Sequence, residues 1–189
     1  MKLLIFSFIL AFNFKHLAYS QTSNFENKIS EPPLCLNNRG EKVYFKNLNS
    51  KTGRFTAGVA KRDINGLPII YRFNYQKSSK ALQLFIDFHE CAHHQTGDLE
   101  KKPPKQNSFE YMMKESIADC LAAIRIKSDK INGQFLIKEV LVELKKDMTT
   151  IGFPKSTIES RKLNIVKCFK KDISLSTYID NVLHKRNLK

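Results

Sequence analysis

FHECAHHQTGD, residues 88–98, sets two histidines four apart with a glutamate directly after the first. Four residues make a little more than one helical turn, so on a helix His89 and His93 stand one above the other on one face. Their ring nitrogens then converge on one point, where a metal ion could take both. Glu90 lies about 100° round from His89. It stands beside that point rather than in line with it, which suits a general base better than a ligand. Working outward, Ser78 or Ser79 can cap a helix over 80–95, and Gly97 can end it. Leu82, Phe85 and Ile86, with Leu84, Phe88 and Ala92, cover most of its circumference, the pattern of a central helix.

A catalytic metal site needs a third protein ligand. A histidine six residues after His93 would provide one, but that position is Leu99. Asp98 lies past Gly97 and would need the chain to fold straight back. ESIADC, residues 115–120, is the better source. Glu115 and Asp119 are four apart on a second helix, hence on one face. Glu115 can complete the ligand set, while Asp119 can accept the N–H of a ligating histidine and so fix its tautomer. His94 points about 100° away from the metal face. It is expected to be exposed or to support the site from behind.

The spacing H-E-x-x-H followed by E-x-x-x-D resembles the thermolysin-like (gluzincin) plan, and HECAHH with ESIADC is similar to the bacterial exported proteins grouped as neutral zinc metallopeptidases. The specific match covers residues 88–120; GFPKSTIESRKLNIVKC (152–168) is a looser echo. The resemblance implies a zincin-like core, Zn2+ on His89, His93 and Glu115, Glu90 as general base and Asp119 behind the ligands. It further implies hydrolysis of peptide bonds in a peptide or protein substrate through a zinc-bound water. It says little about which substrate. Large thermolysin-like enzymes add a second helical domain that stabilises the transition state, and this chain is too short for one. Tyr111, Arg161 and His184 are the candidates for that role, with Arg161 favoured by the looser echo.

Elsewhere, RFTAGVAKRDINGLPIIYRFNY (54–75) reads as an antiparallel hairpin about Asn65-Gly66, its second strand free to pair an extended peptide along its edge. A helix capped by Asn107 with Glu110 runs to about residue 126, another covers 133–148, Ser156 with Glu159 caps a fourth, and a short fifth lies over 175–184. The expected fold class is α+β, a small antiparallel sheet followed by a helical core. Residues 1–20 form a signal peptide, 21–50 an extended lead-in and 51–189 one domain.

That signal peptide rests on Lys2, an apolar run from Leu3 to Phe14 and the small-x-small site Ala18-Tyr19-Ser20. The run is too short to span a bilayer, and no later stretch is long enough. The mature chain is therefore expected to be exported, periplasmic or secreted, without a membrane span. Formal charge is +14, or +12 without Lys2 and Lys15. The lysines are scattered and outnumber arginine, which argues against a specific nucleic-acid partner and leaves weak attraction to anionic envelope surfaces. Four cysteines, Cys35, Cys91, Cys120 and Cys168, permit two disulfides in an exported chain. A Cys91–Cys120 bond would staple the two metal-bearing helices and leave Cys35 for Cys168; the other pairings, and four buried thiols, stay open. A second functional reading also stands, in which zinc only braces two helices of a noncatalytic exported protein that binds anionic envelope polymers.

Overall fold

The computed structural model describes residues 28–49, 55–129 and 131–189. The expected signal peptide, and the lead-in up to residue 27, lie outside the described residues. The described chain is α+β: strands β1 (Tyr44–Leu48), β2 (Ala57–Arg62) and β3 (Pro68–Phe73) precede helices α1 (Lys80–Gln95), α2 (Phe109–Lys127), α3 (Gly133–Ile151), α4 (Lys155–Phe169) and α5 (Leu175–Lys185).

The sheet is mixed, in the order β1-β3-β2. β2 and β3 form the expected antiparallel hairpin, with Ala60 opposite Ile70, while β1 runs parallel to β3, with Phe45 opposite Ile70. The expectation of a purely antiparallel sheet is thus corrected by a strand inside the lead-in. YFKNL carries no clean apolar alternation and alternates only weakly in burial, so its pattern did not mark it. A second correction follows. β3 is the central strand with both edges paired, and the two edge strands are β1 and β2. Pro68 sits at the start of β3, where a missing donor is tolerated.

Ser79 caps α1, accepting from Leu82 N. Gly97, at φ 69°, turns the chain out of the helix in the left-handed region that favours glycine. The expected caps of α2 and α4 shift slightly: Ser108 rather than Asn107 accepts from Tyr111 N, and Pro154 rather than Ser156 precedes α4.

α1 is the central helix. On one side Ala81, Leu82 and Phe85 enter a core with Ala122, Ala123 and Ile126 of α2, Ile137 and Val140 of α3, and Ile158 and Ile165 of α4. On the other, Cys91 meets Ile70, Val43 and Cys35 under the sheet. Burying the leucine, isoleucine, valine and phenylalanine side chains among these stabilises by about 1.5–3 kcal/mol each. The sheet is also tied to α1 by a wholly buried ion pair, Arg72 Nε to Asp87 Oδ1 at 2.9 Å and Nη2 to Oδ2 at 2.5 Å. A bidentate pair with both charges hydrogen-bonded can be tolerated there; removing one partner would strand the other.

The disulfides join Cys35 to Cys91 and Cys120 to Cys168. This corrects the Cys91–Cys120 and Cys35–Cys168 pairing. Cys91 does face away from the histidines, but towards the sheet rather than towards α2. Cys120 points at α4. Two disulfides fit a non-reducing compartment. Among the described residues no helix is long and apolar enough to cross a membrane.

Candidate metal centre

α1 and α2 pack against each other and bring their polar faces together at one end. His89 and His93 of α1 and Glu115 of α2 form a group that could hold a metal ion, each offering one ligand atom within 4.8 Å of the others. The individual separations are 3.2 Å between the two Nε2 atoms, 3.2 Å from His89 Nε2 to Glu115 Oε2, and 3.7 Å from His93 Nε2 to Glu115 Oε1. A tetrahedron built on bonds of ~2.0–2.1 Å has edges of about 3.3 Å. The separations, with each imidazole nearest a different oxygen of Glu115, are of the order of those edges.

Both imidazoles are held from behind. Asp119 Oδ1 accepts from His89 Nδ1 at 2.8 Å, and Asp98 Oδ2 accepts from His93 Nδ1 at 2.9 Å. A carboxylate only accepts, so each Nδ1 carries the proton and each Nε2 is the atom left for a ligand role. Asp119 was foreseen in this position; Asp98 was not. The positive φ of Gly97 turns the chain back on itself, which is the reversal that seemed to exclude Asp98. A Thr-Gly-Asp end directly after a histidine-bearing helix was the available signal.

Each carboxylate is in turn gripped by an arginine. Arg161 of α4 donates to Asp119 through Nε and Nη2, both at 2.8 Å. Arg186, following α5, donates from Nη1 to Asp98 Oδ1 at 2.6 Å and to Thr96 O at 2.7 Å.

These contacts set the charges. Burial works against a charged His89, but its hydrogen bonds to Asp119 and Glu115 outweigh that and push the ring up to about 10. Burial alone would raise Asp119, yet Arg161 and His89 hold it well below the usual carboxylate range. Asp98, also against its burial, is lowered by His93, Arg186 and Lys114. Glu115 is lowered in the same way by His89 and His93. Arg161 keeps its charge firmly, because Asp119 outweighs its burial.

Glu90 is buried and turned to the sheet, where its Oε2 accepts from Ala60 N of β2 at 2.8 Å. Its charge still acts on His89, Arg161 and Tyr111. Tyr111 stands one turn before Glu115 on α2, half-buried, its phenol pushed up by burial and by Glu115. His184 is exposed on α5 and takes no part in this cluster. His94 is buried, with Nε2 against Ile69 O at 3.1 Å, and burial pushes it down to about 4. It ties α1 to β3 and is a core histidine.

No protein-family model, curated protein or solved structure matches the chain. The chemistry of the site therefore rests on its own geometry.

Proposed function

We propose that the chain is an exported zinc-dependent metallopeptidase with a zincin-like core, hydrolysing peptide bonds with Glu90 as general base. The observation that supports this is the convergence of His89, His93 and Glu115, one ligand atom from each lying within 4.8 Å of the others, with a further carboxylate next along the helix. Two imidazoles and one carboxylate suit zinc better than the oxygen-seeking magnesium or calcium. Three protein ligands leave the fourth position that catalysis needs and structural zinc sites close. Bound zinc supplies a Lewis acid that polarises the substrate carbonyl and lowers the pKa of water towards about 7.

The chain's own residues do the rest. Ala60 N–H fixes Glu90 Oε2, which leaves Oε1 to take the proton of the attacking water and pass it to the leaving amine. Arg161 spends Nε and Nη2 on Asp119, so Nη1 is the nitrogen for a substrate carbonyl or the developing oxyanion. Tyr111, one turn before Glu115 on α2, is a second candidate donor. An extended peptide adds to the open edge of β2, which borders Glu90. Two disulfides are in keeping with export.

The test pairs zinc analysis of the purified protein with cleavage of a peptide panel. Glu90→Gln should keep its zinc and lose at least about 100-fold in kcat/KM. Stoichiometric zinc with no cleavage across the panel, or cleavage indifferent to Glu90→Gln, would favour the bracing role instead.

A further inference from the structure

We infer that Arg186 is a positioning residue for the metal: it clamps Asp98 so that Asp98 presents His93 Nε2 to the ion. The inference rests on the metal reading of the histidine cluster and extends it to a part of the chain that motif spacing does not touch.

Two chains of contacts run to the ligands, and they are alike. Arg161 holds Asp119, which holds His89. Arg186 holds Asp98, which holds His93. The second grip centres on Arg186 and on Thr96, whose carbonyl it also holds. Arg186 Nη1 reaches both Asp98 Oδ1 at 2.6 Å and Thr96 O at 2.7 Å, so one guanidinium spans the turn after α1. Thr96 Oγ1 donates to Ala92 O at 2.8 Å and stands 3.1 Å from the same Asp98 Oδ2 that accepts from His93, so its single proton serves one or the other. Leu188 lies against Gly97, where a Cβ would collide with it. Lys114 Nζ is 3.8 Å from Asp98 Oδ1, near enough to add charge and too far for a hydrogen bond.

α5 carries Arg186 to this place by docking on α1 and α2, with Tyr178 and Ile179 packed on Ala92, Ala118 and Leu121. Asp98 sits on a single 3₁₀ turn, Asp98–Glu100, with no long helix of its own to hold it. Without Arg186 its carboxylate keeps only a Thr96 hydroxyl shared with Ala92 O and the more distant Lys114, and the ring of His93 loses its fixed direction. Partners behind a ligand typically govern metal affinity by 10–100-fold.

The experiment compares the parent full-length chain with Arg186→Ala, Arg186→Lys and Leu188→Ala. Zn2+ affinity is read by chelator competition, Co2+ binding by its visible spectrum, and the His93 tautomer by 15N NMR of EDTA-treated protein. Arg186→Ala should bind Zn2+ about 10–100-fold more weakly and shift His93 away from the Nδ1-protonated form, with partial recovery in Arg186→Lys. Leu188→Ala, which loosens the same tail without touching Asp98, should melt earlier and keep its affinity. Affinity in Arg186→Ala within twofold of the parent, or a loss matched by Leu188→Ala, overturns the inference. Arg186→Gln, which keeps the stem and one donor, takes the place of the alanine variant if that one does not fold. If the parent takes up neither ion, the metal reading fails on its own. The His93 tautomer then decides: an unchanged Nδ1–H signal in Arg186→Ala overturns the clamp, and its loss supports it.

Discussion

Gly58 has no side chain because Glu90 and Ile86 occupy the space where one would be. A Cβ there would lie 2.7 Å from Ile86 Cγ2 and 3.0 Å from Glu90 Cδ, nearer still to Glu90 Cγ. Glycine in a strand commonly marks such a close approach. Gly58→Ala should therefore displace Glu90 and destabilise the fold by about 1–3 kcal/mol. A general base moved by about 1 Å can lose on the order of 100-fold in rate. Cleavage should fall by that order while zinc binding, to which Glu90 gives no ligand, stays at the parent level. Parent-like kcat/KM in a folded Gly58→Ala would show that the base does not depend on this contact. At this scale the sequence was most informative where partners share a helix. His89 with His93, and Glu115 with Asp119, follow from helical periodicity alone. Asp98 was missed because one left-handed residue reversed the chain, and periodicity carries no information past Gly97.

Helices α1 to α5 were legible mainly from caps and stops in the chain, such as Gly97 after α1 or Gly152 after α3. Strand β1 was not, since an exposed edge needs no apolar stripe. Cysteine pairing failed for a related reason. It depends on which neighbour each helix face meets, and spacing within one helix cannot say whether Cys91 looks at a sheet or another helix. Peptide mapping without reductant should recover Cys35 with Cys91 and Cys120 with Cys168. The second bond spans 48 residues and joins α2 to α4, the helix that brings Arg161 to Asp119. Replacing both Cys120 and Cys168 by serine should cost about 4 kcal/mol in urea unfolding and also weaken zinc binding. The Cys35/Cys91 double-serine variant should lose similar stability with less effect on zinc. Equal zinc affinities in the two variants would count against α4 as the support of His89.

For the molecule as a whole, proton and metal compete for the same nitrogen. His89 is pushed up to about 10, so the proposed zinc would have to displace a proton to bind near neutrality. The sign for stability follows from a folded-state value above the ordinary one. In EDTA-treated protein the bonds of protonated His89 to its carboxylates contribute fully below about pH 6.5 and fade as pH rises towards 10. Zinc-loaded protein changes in the opposite direction, gaining as the competing proton thins out. The melting-temperature difference between loaded and EDTA-treated protein should therefore widen from about pH 6 to about pH 8. His94, pushed down to about 4, is neutral in both forms over that range and drops out of the comparison. A difference that stays flat would mean that no proton leaves on binding. The two arginines have one more consequence. Arg161 lies 42 residues after Asp119, and Arg186 lies 88 after Asp98. During synthesis all three donor side chains emerge well ahead of both guanidinium groups. A ribosome-bound chain thus holds its histidines unaimed until both arginines have emerged, and the cluster reaches its final geometry only late in synthesis.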